Sequence, residues 1–166
     1  MILVLKLLKF EIQSLFRSKW LIILGVFFFG MTEMLLYFAS DSNQIMLSLM
    51  NIILLFIPLI SLISTLIDFY NAKEFTEFLL AHPIQRSGLF LSRLFGQILS
   101  FSFIFIIAIS TPFLIHSHLT ATLLTNLSFL LLIGIILISI FSAISSLIAT
   151  LFKDKIKGFG TIILLW

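Results

Sequence analysis

The sequence predicts an all-α fold, a polytopic membrane helix bundle, on three observations. Hydrophobic residues fill 61% of the 166 positions, and the mean hydropathy is +1.26. Charged residues make up only 10% of the chain, where a soluble domain carries about 25%. The apolar residues also fall in long continuous runs, without the alternation of an outer-membrane β-barrel.

Each run can be weighed against the roughly 20 apolar residues needed to cross the hydrocarbon core. Residues 1–19 come first. Leu3, Leu7, Phe10 and Leu15 share an apolar face, and Lys6, Lys9, Glu11, Gln13 and Arg17 add polar character. Two readings fit this stretch: a helix lying in the membrane interface, or a basic flank that only sets orientation. Complete spans are expected at 20–38, 45–67, 94–115 and 123–152. The fourth is longer than a crossing requires, so it should tilt or protrude. The first span ends in no small-residue cleavage site and is expected to be retained rather than removed as a signal peptide. A last apolar run, 159–166, measures only about 12 Å as a helix. It is expected to be the start of a fifth span in a longer protein. The whole chain is treated as one transmembrane domain.

Orientation follows from the ten basic residues. Lys6, Lys9, Arg17 and Lys19 precede the first span. Lys73, Arg86 and Arg93 lie between the second and third, and Lys153, Lys155 and Lys157 follow the fourth. The connections at 39–44 and 116–122 have none. By the positive-inside rule the N-terminus and the segment 68–93 are expected in the cytoplasm, in a bacterial inner membrane.

Several function classes have no support. Cysteine is absent, which removes disulfide frameworks and thiolate metal sites. None of the seven glycines precedes a lysine, so the chain lacks the phosphate-binding loop of an ATPase. No zinc-protease or serine-nucleophile motif is present, and the chain is not expected to be an enzyme. The basic residues follow the topology and form no nucleic-acid patch.

The polar segment 68–93 is the strongest functional signal. From Asn71 it reads as a short helix with Phe75, Phe78 and Leu79 on one face and Glu74 and Glu77 on others. Pro83 ends that helix, because the residue before a proline is pushed out of helical geometry. Ser87 is expected to cap a second helix running into the third span. A helix made to lie on lipid should be rich in Lys and Arg. This one carries Glu74 and Glu77 against Lys73, which favours a groove on a protein partner.

The run Glu77-Phe78-Leu79-Leu80-Ala81-His82-Pro83-Ile84-Gln85-Arg86 resembles the first cytoplasmic loop of ABC type-2 permeases. Ser92, Arg93 and Gly96 extend the likeness toward the next span. The segment from Lys155 through Gly158 and Gly160 to Trp166 is similar to the entry of span five in the branch linked to multicopper-enzyme maturation, such as nitrous oxide reductase assembly. The chain departs from the family at Phe75-Thr76, where many members have Gly-Thr. The resemblance implies six spans, an elbow helix at 1–19 and a coupling helix seated on a separate ABC ATPase subunit. Glu74, Phe75, Glu77, Phe78, Leu79, Pro83 and Arg86 would then form the partner-binding site. It further implies a second permease copy as partner and export driven by ATP and Mg on the ATPase, with no cofactor held by this chain. A non-transporting membrane scaffold, energised by an ATPase in an envelope or motility assembly, is the alternative.

Polar residues inside the spans raise further candidates. Glu33 is the one acidic residue well inside an apolar run. An intramembrane carboxylate marks function by default, although Glu33 is also close enough to the span end to reach the interface. Met31, Met34, Met46 and Met50 flank the first outer loop, and His116 and His118 lie in the second. Thioethers with imidazoles would suit copper(I), but methionine is also ordinary filler in apolar helices, and no metal site is assigned. Ser139, Ser142, Ala143, Ser146, Ala149 and Thr150 read most simply as close helix packing, with a substrate-lining face as the alternative. Pro58, deep in the second span, is the better candidate for a kink, ahead of Pro112.

Overall fold

A computed structural model describes residues 19–38, 42–72, 86–116, 121–152 and 154–166. They form five helices: α1 (Lys19–Phe38), α2 (Ser42–Asn71), α3 (Arg86–Ile115), α4 (Ala121–Leu151) and α5 (Lys155–Leu165). No strand occurs among the described residues. Four stretches are long and apolar enough to cross a membrane: Leu21–Phe38, Gln44–Asn71, Ser87–Ile115 and Leu123–Leu151. The architecture is that of a multi-pass membrane protein.

The helices outrun the hydropathy. α2 continues through Asp68 to Asn71, and α3 starts at Arg86, before the span edge expected at residue 94. The end of an apolar run marks where lipid contact stops. It does not break the backbone ladder, which continues until a residue disfavours helix. Ser87 lies inside the first turn of α3 rather than at its cap. At 30 residues, α2 and α3 are each about 45 Å long, against a hydrocarbon core of about 30 Å. They must tilt or protrude. Both Pro58 and Pro112 sit within continuous helix. The expected interfacial helix at 1–19 lies almost wholly outside the described residues, and so does the segment 73–85.

Neighbours in space are not neighbours in sequence. α2 packs most extensively on α4, and α1 on α3; α3 also packs on α4, and α1 more lightly on α2. Around the bundle the order is therefore α1, α2, α4, α3, with α2 and α3 on a diagonal. The two main pairs run parallel. In the first, Gly25 lies against Ile104, Phe28 stacks edge-on to Phe105 at 5.5 Å, and Glu33 approaches His116. In the second, Met46 shares a groove with Asn126, Ser145 reaches Leu62, and Tyr70 reaches Phe152.

One core fills the middle of the bundle. Ile45, Leu49, Ile53 and Ile57 repeat every four residues along α2 and meet Phe28, Phe105 and Ile138. Gly134 lets α3 and α4 close up here. A methyl group at that position would lie 2.4 Å from the Phe105 ring. A second, smaller core joins Leu62, Leu66 and Tyr70 of α2 to Ile148 of α4 and Ile162 of α5. Large apolar side chains such as Val26, Leu55, Phe103 and Ile136 face outward, as lipid allows and water would not.

Candidate functional site at the basic end of the bundle

The end of the bundle carrying Lys19, Arg93, Lys155 and Lys157 brackets the predicted partner-binding segment. Glu74, Phe75, Glu77, Phe78, Leu79 and Pro83 lie outside the described residues, between the end of α2 and the start of α3. Arg86 is the first residue of α3. What the structure does describe is how the two flanks of that segment are held.

The C-terminus of α2 exposes carbonyls that have no partner within the helix. Arg93 of α3 answers one of them. Its Nη2 donates to the Asp68 carbonyl oxygen at 3.1 Å, an oxygen that also accepts the Ala72 N–H at 3.2 Å. A cation at a helix C-terminus is also favoured by the helix dipole. The Arg93 guanidinium lies 5.4 Å from the centre of the Phe69 ring, within cation–π range. Phe69 meets Phe90 edge-on at 5.6 Å. Guanidinium and rings together tie the last turn of α2 to the first turns of α3.

Tyr70 ties the same turn of α2 to the opposite side of the bundle. Its hydroxyl donates to the Phe152 carbonyl at 2.7 Å, with the Asp154 carbonyl at 3.2 Å as a second, weaker acceptor. Those carbonyls lie in the short bend between α4 and α5. Tyr70 is 7% exposed, so its hydroxyl needs such a partner. Gly158 makes room for it, because a Cβ there would lie 2.4 Å from the Tyr70 oxygen. Lys155 adds a long contact to Asn71 Oδ1 at 3.5 Å, and Trp166 Nε1 donates to the Leu55 carbonyl at 3.4 Å. The last turn of α2 is thus clasped from both sides, by Arg93 and by the α4–α5 bend.

Glu33 lies at the other end of the bundle. Its Oε2 is 3.8 Å from His116 Nε2, with both side chains about a third exposed. The His116 ring also sits 3.2 Å from the Pro112 carbonyl. At the basic end, Arg93 meets α2 through the Asp68 backbone carbonyl. The methionines separate: Met46 and Met50 line a groove of about 450 Å³ with Leu47, Asn126, Phe129, Leu130 and Ile133, while Met34 faces outward. Among the described residues no three His, Cys, Asp or Glu side chains gather as metal ligands would. His118 lies outside them.

Sequence reading missed the Tyr70 clasp. The available signal was a lone tyrosine at a helix end with a glycine placed to receive it after the fourth span. It also left Ser145 out of the small polar residues it singled out in the fourth span. Ser145 in fact donates across to the Leu62 carbonyl at 2.6 Å.

Compared with known proteins, this chain matches no protein-family model and no curated protein.

Proposed function

We propose that the chain is the transmembrane permease subunit of an ATP-binding-cassette exporter, with residues 74–86 as its coupling element. The observation that carries the reading is the run from Glu77 to Arg86, which begins six residues after a helix end clasped by Arg93 and Tyr70. In this reading Phe75, Phe78 and Leu79 seat in a groove of a separate ATPase subunit. Glu74 and Glu77 form the polar rim, Pro83 makes the turn, and Arg86 opens the returning helix. Two such chains would pair, each with an ATPase that binds ATP and Mg. Closure of the ATPases would favour one arrangement of the spans over another, and a transmitted change needs such a difference in contact between two states. A rigidly held α2 terminus supports that use, because a loosely held one would absorb the displacement.

Co-purification of the full-length protein from its own membranes tests the reading. A nucleotide-binding subunit should come with it, and Phe78→Asp should abolish both the association and most of the ATP hydrolysis that depends on it. Recovery of the intact chain with no such subunit would overturn the proposal. Cargo-stimulated hydrolysis in reconstituted vesicles would then separate an exporter from a scaffold energised by the same ATPase.

A further inference from the structure

Hydroxyl side chains in membrane helices usually return their proton to the carbonyl one turn back. Thr32, Ser92, Ser139 and Ser146 do so here at 2.7–2.9 Å. A second set does not. Ser61 and Thr65 of α2, Ser100 of α3 and Ser142 of α4 are at most 1% exposed, and their hydroxyls find no protein partner. The Oε1 of Gln97, 3% exposed, shares that condition.

Helical register brings these groups together. Ser61, Thr65 and Asp68 are spaced i, i+4, i+7 on α2, and Arg93, Gln97 and Ser100 repeat that spacing on α3, so each trio lies on one face. The Arg93–Asp68 contact pins the two antiparallel trios at one end. Stepping inward from it pairs Thr65 with Gln97, then Ser61 with Ser100. A separate contact gives α4: from Gly134 against Phe105, two turns along each helix bring Ser142 level with Gln97. α2 and α3 are the diagonal pair, not one of the closely packed ones, so between the Arg93–Asp68 tie and the apolar core no main helix interface closes their facing sides. Toward the opposite end the seam meets the apolar core of Ile57, Phe101 and Phe105. Toward the basic end it meets Arg93.

We propose that the α2–α3 seam is a polar binding site for water and small uncharged hydrogen-bonding solutes, entered from the basic end past Arg93. Several unanswered acceptors and donors on facing helices are costly in a closed bundle and are answered when the seam parts and such a solute enters. The site does not depend on an ATPase partner and stands or falls separately from the coupling reading.

The chain has no cysteine, so single cysteines can be read without background. Ser61→Cys, Thr65→Cys, Ser100→Cys and Ser142→Cys would be made in the full chain in native membranes. The probe is methyl methanethiosulfonate, small and uncharged like the proposed solutes, which reacts with a hydrated thiolate. Seam cysteines should react at least tenfold faster than Ile57→Cys in the core and Leu54→Cys or Leu99→Cys on the outward faces. Rates no faster than Ile57→Cys at all four positions would overturn the proposal. A second measurement needs no substitution. In the unmodified protein, backbone amides at 61–65 and 97–100 should exchange with deuterium faster than those at 101–109, and equal protection of the two stretches would also overturn it.

Discussion

Tyr70 shows how one side chain can hold three helices. Its hydroxyl serves the Phe152 carbonyl just past the end of α4, and its ring fills the small core shared by α2, α4 and α5. Tyr70→Phe keeps the ring and strands the Phe152 carbonyl, while the Asp154 carbonyl keeps the Gly158 N–H. A loss of about 1–2 kcal/mol in unfolding free energy, measured in mixed micelles, is expected from the broken buried hydrogen bond. Gly134 acts by absence. The methyl of Gly134→Ala would lie 2.4 Å from one Phe105 ring carbon and 2.5 Å from the next, too close for any rotamer adjustment of that ring to be free. Overpacking of this kind costs about 1–3 kcal/mol, and Phe105→Leu should recover part of the loss. An additive double variant would show that the ring is not the obstacle. Glu33 and His116 are different. At 3.8 Å and about a third exposed, they make a surface pair of the kind that contributes little.

At the scale of elements, α5 is the informative one. Its 11 residues make about 16 Å of helix, too short to cross, yet it is seated firmly. Ile162 is fully buried between α2 and α4, Gly158 rests on Tyr70, and Trp166 reaches Leu55. In lipid the transfer term for burying an apolar side chain is largely gone, and packing supplies the attraction. Ile162→Ala should therefore destabilise by about 1–2 kcal/mol, at or below the low end of the range for soluble cores. Its effect should show as earlier proteolysis at the α4–α5 bend, with α1–α3 packing retained. Equal loosening of α1 would mean that α5 is not a separate layer. The helix ends teach the related lesson that α2 and α3 carry polar residues beyond their apolar stretches without stopping. The span boundary and the helix boundary are different physical events.

For the whole molecule, the prediction concerns sidedness. In the sequence all ten basic residues fall before the first span, between the second and third, or after the fourth, so a cysteine replacing Asp154 should be labelled by an impermeant thiol reagent only from the cytoplasmic side. One replacing Asp41 should be labelled only from the opposite side. Labelling of both from one side would break the four-span topology. The four crossing stretches were legible without coordinates, because the cost of placing charge in hydrocarbon is large and local, and continuous apolar runs record it directly. The helical class was legible for the same reason, since only helices and closed barrels satisfy the backbone in lipid. Helix pairing was not. Apolar faces in a membrane are alike, and nothing in their hydropathy says that α1 pairs with α3, or that α2 and α3 sit on a diagonal. Shape decided that, through Gly134 beneath Phe105 and Gly158 beneath Tyr70. The Arg93–Asp68 contact and the polar seam behind it depend on the same packing. Residue order alone marks the four stretches apolar enough to cross a membrane, because hydrocarbon excludes charge. Which faces meet is settled in three dimensions, since in lipid that choice rests on close packing and on single hydrogen bonds between residues far apart in the chain.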